Sequence, residues 1–264
     1  ADGNNNLEKP IISPRLAGMY ILSDRYKLRG SWGQGFRMPS FMDKYMNWNH
    51  WQFGYAIIGN PDLVPETSTG YNLGIEYFHP GKYKFSIMVY QNTFDNMIID
   101  EQLEPGLFTY SNIDRVHFTG IEFQHRQNYS KNFTGNLAYN LSRNRNIATG
   151  EIVHGSPEHS ANIKMSYKSK NGKLRSALKI KAVAPYKVQE FVPDGSGEEQ
   201  NEGYFDIQDR DAYFLIDIDG KYKIHKLLTF SFGIKNIQDT VDSQYGPFIG
   251  RTVYFELGNK LGGY

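Results

Sequence analysis

The chain has 264 residues, no cysteine, and 29 basic against 28 acidic residues, for a net charge of +1. This length fits one or two soluble domains or a single large β-architecture. The lack of cysteine excludes disulfide bonds and thiolate metal sites, and the balanced charge gives no argument for nucleic-acid binding. No segment approaches the roughly 20 consecutive apolar residues of a transmembrane helix, whereas a membrane β-barrel is compatible with this because only half of each strand is apolar.

Apolar and polar residues alternate with a period of two through most of the chain, and helical periodicity is nearly absent. Between Tyr71 and Tyr77, for example, Tyr, Leu, Ile and Tyr alternate with Asn, Gly and Glu. This alternation is typical of antiparallel strands with one apolar face, and it predicts an all-β fold. The predicted strands number about eleven and cover residues 14–22, 26–36, 69–78, 83–98, 114–129, 133–147, 158–170, 174–187, 211–224, 227–238 and 249–260.

One predicted strand changes the parity of its apolar residues. Val116 and Phe118 share one parity, whereas Ile121 and Phe123 share the other. One extra residue between the two pairs would return them to the same face. We therefore predict a β-bulge at Gly120.

The connections between the predicted strands alternate strictly between short and long. Short turns are predicted at SDR, HPGK, SKN, KNGK and HK, and long connections at 37–68, 99–113, 148–157, 188–210 and 239–248. A sheet trimmed at one end and elaborated at the other is typical of outer-membrane barrels, which have short periplasmic turns and long external loops. A soluble β-sandwich is the alternative, because its strands also alternate.

Strand length and aromatic residues favour the membrane barrel over the sandwich. Several predicted strands have ten or more residues, as tilted membrane-spanning strands do. Aromatic residues near strand ends match the interfacial girdle of such barrels. They are Tyr20, Tyr26, Trp32, Tyr77, Phe78, Tyr83, Tyr129, Tyr167, Tyr186 and Tyr222.

GFRMPSFMDKY (35–45) is followed, after part of a long predicted connection, by GNPDLVPETSTGYNLGIEY (59–77). Together with four later segments, in chain order, these resemble the motifs of TonB-dependent outer-membrane receptors. In that family G-F-R-x-P-S ends one strand and G-N-P-x-L-x-P-E begins the next after a long external loop. The later matching segments are YQNTFDNMI (90–98), YSNIDRVHFTGIEFQ (110–124), NLAYNLSRNRNIATGEIVHGSPEHSANIKMSY (136–167) and GIKNIQDTVDSQYGPFIGRTVYFEL (233–257).

The resemblance implies an antiparallel transmembrane β-barrel in the outer membrane of a Gram-negative bacterium. Receptors of this family are longer and include a plug domain inside the barrel. We therefore expect residues 1–264 to be the C-terminal portion of the barrel, without the plug domain. The resemblance also implies energy supplied by the TonB complex, which is expected to bind the N-terminal region, and contact with outer-membrane lipid. A surface lipoprotein is a further candidate partner.

The implied function is uptake of a scarce large nutrient. Haem or an iron–siderophore chelate is the favoured cargo, and cobalamin is the alternative. A structural barrel without a transport role is a further alternative. No Ser-His-Asp arrangement, fixed carboxylate pair or phosphate-binding loop is evident in the sequence, so we expect neither an enzyme nor an intrinsic cofactor.

The long segment 37–68 carries the candidate ligand-binding residues. In haem receptors of the family an F-R-A-P-like segment precedes a loop histidine and then N-P-x-L; here FRMP (36–39) precedes His50, and NPDL (60–63) follows it. His50 is thus a candidate axial ligand of haem iron, with an ordinary solvated loop histidine as the alternative. The full candidate set is Phe36, Arg37, Tyr45, Trp48, His50, Trp51, Tyr55, Asn60 and Asp62, with Met46 and Phe53 as further contacts.

Two further groups of charged residues stand out. The acidic segment 189–211 has the oxygen ligands that calcium prefers, but its spacing matches no calcium loop, and a mobile, solvated external loop is the favoured interpretation. Four lysines lie on the polar faces of neighbouring predicted strands. We expect them to attract an anionic chelate, to pair with acidic groups of a plug, or to anchor at the interface; they are Lys164, Lys168, Lys179 and Lys181.

Overall fold

The computed structural model describes residues 12–50, 55–104, 106–153, 155–193, 203–242 and 246–259. Their secondary structure is almost entirely strand, and among these residues no helix is both long and apolar enough to cross a bilayer. The elements are β1 (Arg15–Ile21), β2 (Tyr26–Arg37), α1 (Phe41–Tyr45), β3 (Asn47–His50), β4 (Tyr55–Ile58), β5 (Glu66–His79), β6 (Tyr83–Glu104), β7 (Leu107–Asn128), β8 (Phe133–Asn146), β9 (His159–Lys168), β10 (Leu174–Val183), β11 (Tyr186–Pro193), β12 (Gly203–Arg210), β13 (Tyr213–Lys223), β14 (Leu228–Lys235) and β15 (Thr252–Asn259).

The main sheet follows a single path, β1-β2-β5-β6-β7-β8-β9-β10-β13-β14-β15. Every neighbouring pair on this path is antiparallel, and the strands on it correspond to the eleven predicted from the sequence. β1 and β15 lie at the two edges, and the described residues do not pair them with each other. The predicted all-β antiparallel fold is confirmed, with the sheet forming an open part of a barrel.

The register places the apolar residues of successive strands on one face. Ile75 lies opposite Ile87, which in turn lies opposite Phe123, and such rows continue across the sheet. These side chains stay uncovered by any described segment: Leu73 is 60% exposed and Phe255 is 71% exposed. A sandwich would bury this face against a second sheet. Its exposure identifies it as the lipid-facing surface, because hydrocarbon and not protein covers it.

The opposite face is polar and faces the inside of the barrel. Lys164 lies opposite Lys179 in the β9–β10 ladder, and Lys168 and Lys181 share that face with them, as predicted. The Lys179 ammonium group lies 2.6 Å from the carboxylate of Asp219. The pairing of these lysines with acidic groups is thus partly satisfied within the sheet itself.

The β6–β7 hairpin is longer than the sequence predicts. Each strand has 22 residues, and their pairing continues to Glu104 and Leu107. The predicted long connection at 99–113 is therefore wrong. Its composition (IDEQLEPGLFTYSNI) lacks clean alternation. Outside the bilayer, backbone pairing does not require one face to be apolar, so the usual pattern is absent although the strands continue.

The predicted β-bulge at Gly120 is also wrong. Gly120 lies opposite Tyr90 in one ladder and Ser142 in the other, and neither ladder shifts register there. A Cβ atom on Gly120 would collide with the Tyr90 phenol group, which lies directly over it. The glycine therefore makes room for a tyrosine and does not mark an extra residue.

The change of parity in β7 arises because its apolar side moves from one face of the sheet to the other. Ile121 is 41% exposed on the lipid face. Val116 points to the other face and is fully buried, and the Phe118 ring packs edge-on against Phe94 with 5.2 Å between centroids. In chain order, β7 thus passes from a segment whose apolar side chains are buried by protein to a segment whose apolar side chains face lipid.

The connection after β2 is folded, not extended as a simple loop. Residues 38–65 contain α1 and the β3–β4 hairpin. β4 pairs in parallel with the start of β7, through Ala56 opposite Leu107 and Ile57 opposite Phe108. We call residues 38–65 together with residues 94–118 the external head. Apolar side chains buried in it are Ala56, Leu63, Ile98 and Val116.

The acidic segment also has more regular structure than predicted. β11 and β12 pair as a separate two-stranded ribbon from Tyr186–Arg210 to Pro193–Gly203. The interpretation of 189–211 as an unpaired solvated loop is therefore wrong for the paired residues, while 194–202 lie outside the described residues. Within the described part of the chain, no group of three His, Asp or Glu side chains is placed to hold a metal ion.

Candidate ligand-binding site

The helix α1 is fixed at the point where β2 leaves the sheet. The Ser40 hydroxyl accepts a hydrogen bond from the Asp43 backbone N–H at 3.0 Å, and the Asp43 carboxylate accepts one from the Ser40 N–H at 2.8 Å. This reciprocal capping box satisfies two donors at the helix N-terminus. The Arg37 guanidinium lies 3.3 Å from the same carboxylate. Arg37, a predicted ligand contact, therefore ties the helix to the end of β2.

Electrostatics around Asp43 favour its charged form. Burial is the largest single influence and disfavours the carboxylate, but the hydrogen bonds from Ser40 and the nearby charge of Arg37 together outweigh it. The pKa of Asp43 consequently lies below its ordinary value of 3.8. At neutral pH the Asp43 carboxylate is therefore ionised, which is the form that accepts the capping hydrogen bond.

Gly59 allows the end of the hairpin to approach α1 closely. Its N–H donates to the Met46 carbonyl at 2.6 Å. A Cβ atom at Gly59 would lie 2.6 Å from the Lys44 carbonyl carbon and 2.6 Å from the Tyr45 nitrogen, both backbone atoms. No side-chain rotation relieves such contacts, so this position requires glycine.

Two asparagines join residues 38–65 to the β6–β7 hairpin. The Asn60 amide group donates to the Tyr110 carbonyl at 2.9 Å, and its oxygen accepts from the Asp62 N–H at 3.0 Å. The Asn112 side chain accepts from the Val64 N–H at 3.0 Å and donates to the Val64 carbonyl at 3.2 Å. These hydrogen bonds join residues 38–65 and residues 94–118 into one folded unit, the external head.

Four large apolar side chains are exposed on this body within residues 41–48. Phe41 is 78% exposed, Met42 54%, Tyr45 57% and Trp48 44%. The Phe41 and Tyr45 rings contact each other with centroids 5.2 Å apart. We call these four residues the aromatic patch. Exposed apolar clusters of this kind on otherwise polar surfaces mark binding sites.

The remaining predicted site residues are distributed unevenly. Phe36 lies opposite Thr67 and shares the lipid-facing side of β2, away from the aromatic patch. Tyr55 is half-buried in β4, opposite His50 in the ladder. The structure describes the His50 backbone in β3 but not its side-chain surroundings, and Trp51 and Phe53 lie outside the described residues.

The sequence reasoning missed Phe41, Met42 and Asn112. Its prediction of a loop here overlooked a usable signal, because Ser40-x-x-Asp43 after a proline is a typical helix start. No local signal points to Asn112, whose partner Val64 lies 48 residues away in the chain.

A second external cluster centres on Arg210, whose side chain is only 10% exposed. Its guanidinium group lies over the Tyr186 and Tyr213 rings, at 5.4 and 5.0 Å from their centroids, and 3.0 Å from the Asp242 carboxylate. This cluster joins the β11–β12 ribbon to the connection between β14 and β15. It completes a structured external side for the sheet.

Comparison with known proteins decides the family. A family model described as "TonB dependent receptor-like, beta-barrel" matches residues 2–237. The chain belongs to this family. As a TonB-dependent receptor barrel it lies in the outer membrane of a Gram-negative bacterium, and the soluble-sandwich alternative is wrong.

Two relatives of this receptor barrel have different names, and only one of the names states a cargo. The chain is 28% identical over 229 residues to the vitamin B12 transporter BtuB of Vibrio vulnificus (strain YJ016), covering 82% of this chain and 31% of that protein. It is 23% identical over 255 residues to an iron-regulated outer membrane virulence protein of Vibrio cholerae serotype O1 (strain ATCC 39541), covering 89% and 37%. The chain thus spans about a third of the length of these relatives.

Among solved structures, a mutant ferric enterobactin receptor from Pseudomonas aeruginosa, crystallised with enterobactin, has a TM-score of 0.73 against this receptor barrel. The sequence identity is 16%, and the superposition covers 94% of this chain and 40% of the other. At this identity the likeness concerns the fold. It supports the assignment of the sheet as part of a larger barrel.

Proposed function

We propose that this chain is the C-terminal portion of the barrel of a receptor that takes up an iron chelate, either haem or an iron–siderophore complex, by TonB-dependent transport. The observation that carries the cargo assignment is the aromatic patch on the external head. Cobalamin is the second candidate, favoured by the similarity to a vitamin B12 transporter. The TonB complex is the proposed energy source, and a surface lipoprotein is a proposed accessory partner.

The patch fits a flat or aromatic cargo for a physical reason. Phe41 and Tyr45 offer ring faces, and Met42 offers a polarisable thioether that adapts to an irregular surface. The capping box and the asparagine bonds fix the backbone that carries these side chains, which lowers the entropic cost of binding. A porphyrin or a catechol ring would cover apolar surface that water now contacts.

His50 is the proposed axial ligand if the cargo is haem. Its backbone lies at the end of β3, two residues after Trp48, in the hairpin whose second strand pairs with β7. An imidazole at this position has the chemistry of a haem iron ligand. The other proposed contacts are Tyr45, Trp48, Trp51, Tyr55, Asn60 and Asp62, whereas Arg37 acts on cargo only through the position of α1.

The test is a titration of the full-length receptor in detergent with haem, a ferric catecholate siderophore and cobalamin, each followed by quenching of tryptophan fluorescence. The double variant Phe41→Ala/Tyr45→Ala should bind the cognate cargo about 5- to 150-fold more weakly, since each aromatic contact is worth about 0.5–1.5 kcal/mol. Phe255→Ala, an equally exposed ring on the lipid face, is the matched control and should bind normally.

Equal affinity of parent and double variant for all three cargoes would remove the patch from the binding site. For haem, the Soret band of the complex should shift in the parent and in Tyr45→Ala but not in His50→Ala. A parental Soret shift that persists in His50→Ala would leave haem as cargo and exclude His50 as its ligand.

A further inference from the structure

The short turns of the barrel differ in charge from the rest of the chain. They comprise residues 22–25, 80–82, 129–132, 169–173 and 224–227, and we call them the short-turn rim. Each turn is closed by backbone hydrogen bonds, such as the Leu22 N–H to the Tyr26 carbonyl at 3.0 Å. The rim carries six cationic side chains and one carboxylate, Asp24, in a chain whose net charge is only +1. The cations are Arg25, Lys82, Lys131, Lys170, Lys173 and Lys226.

These cations have no partner within the described part of the protein. All six are exposed, and none lies within ion-pair distance of a described carboxylate. By contrast, the cations of the inner wall and of the external head include several that are paired, such as Arg29 with Glu76 at 3.0 Å. The rim therefore has an excess of positive charge that is open to an outside anion.

A belt of aromatic side chains fixes the height of the rim relative to the bilayer. Its members lie on the lipid face, at the start of a turn or within three residues of one, and several contact one another: Tyr26 and Tyr77 have centroids 4.7 Å apart, and Tyr77 and Tyr83 5.6 Å apart. Such belts lie at the level of lipid headgroups. The belt consists of Tyr20, Tyr26, Tyr77, Tyr83, Tyr129, Phe133, Tyr167 and Tyr222.

We propose that the short-turn rim binds the phosphate groups of anionic phospholipids in the periplasm-facing leaflet. Arg25, Lys82 and Lys131 lie one or two residues from a belt residue, so at about 3.3 Å per residue they stand at the depth of the lipid phosphates. Lysine and arginine side chains reach such phosphates while their alkyl stems stay on apolar surface. Anionic lipids are preferred over zwitterionic ones because four of the five turns of the rim carry lysines and no carboxylate.

The proposal is independent of the cargo, so the two can fail separately. The experiment uses the full-length receptor in neutral detergent, titrated with mixed micelles of phosphatidylglycerol or of phosphatidylcholine, with bound lipid counted by native mass spectrometry. The parent should retain more phosphatidylglycerol than phosphatidylcholine, and this preference should fall between 50 and 500 mM salt, because exposed charges are screened.

The variant Lys82→Gln/Lys131→Gln/Lys226→Gln removes three cations of the rim. It should lower the phosphatidylglycerol preference by about fivefold or more, because even a single cation at an anionic surface contributes about 1 kcal/mol, which is about fivefold in affinity. The matched control, Lys164→Gln/Lys179→Gln/Lys181→Gln, removes the same charge from the inner wall of the sheet, away from the short turns. It should behave as the parent does. A gel shift on heating checks that both variants are folded.

Three results overturn the proposal. The first is an equal affinity of the parent for the two lipids. The second is an equal response of the rim variant and the control, which would reduce the effect to net charge. The third is complete displacement of phosphatidylglycerol by millimolar inorganic phosphate, which would indicate a site for a free anion and not a surface for lipid.

Discussion

Replacing Asn112 by alanine tests the claim that the external head is one body. The Asn112 side chain makes three hydrogen bonds: two to the Val64 backbone, at 3.0 and 3.2 Å, and one to the Asn96 carbonyl at 2.7 Å. A single bond of this kind contributes about 0.5–1.5 kcal/mol. Because Val64 is exposed and water can replace part of the loss, we expect Asn112→Ala to reduce the local opening free energy by about 2–3 kcal/mol.

The assay is amide hydrogen exchange on the folded receptor in detergent. A loss of 2–3 kcal/mol corresponds to about 30- to 150-fold faster exchange at the amides of residues 38–65. The Ala56 N–H, which donates to Gly106 at 2.7 Å, is the most informative reporter because it lies at the β4–β7 contact. Asn128→Ala, which removes one bond at a short turn, is the control and should leave this amide unaffected. Unchanged exchange at Ala56 in Asn112→Ala would refute the reasoning.

Three other substitutions have defined outcomes. Val116→Ala should lower the free energy of local unfolding of the external head by about 2 kcal/mol, because it opens a cavity at a fully buried site. Val253→Ala on the lipid face is the control and should leave this free energy unchanged. The rate of limited proteolysis within the head measures both effects. Gly59→Ala should displace α1 and increase protease cleavage within 38–65, and cleavage at the parental rate would contradict the close approach. The lowered pKa of Asp43 means that its stabilisation is complete above the unfolded value near 3.8 and is lost as the pH falls through the lower folded value. Exchange in α1 should therefore rise on acidification in the parent but stay pH-independent in Asp43→Asn, after correction for intrinsic exchange.

The part of the fold inside the bilayer follows from the sequence because lipid imposes a strict rule on it. Each spanning strand has to present apolar residues to hydrocarbon at every second position, and Ile75, Ile87 and Phe123 do so in register. The same rule explains why the short turns are found correctly. Where a strand leaves the hydrocarbon region and a tight turn follows, the alternation of apolar and polar residues ends at once, and this end marks the turn.

Outside the bilayer that rule no longer applies, and the predictions fail there. The extension of β6 and β7 is predicted as a loop because its residues do not alternate. The change of parity between Val116 and Ile121 is predicted as a bulge, because apolar residues buried by protein on the other face give the same pattern as one extra residue in the strand. Of the aromatic patch, Tyr45 and Trp48 are named from the sequence as candidate contacts and stay predictions, whereas Phe41 and Met42 lie on a helix that only the capping pattern reveals. Contacts such as Asn112 with Val64 depend on long-range pairing that no local pattern encodes.

The length of the β6–β7 hairpin has a consequence for the cell surface. A strand of 22 residues is about 70 Å long, and a tilted crossing uses only about 9–11 of those residues. About half of the hairpin therefore extends outside the bilayer, with Asp100, Glu101 and Glu104 near its turn. A tag inserted at this turn would therefore lie well outside the membrane, beside the β4 strand that pairs with Leu107.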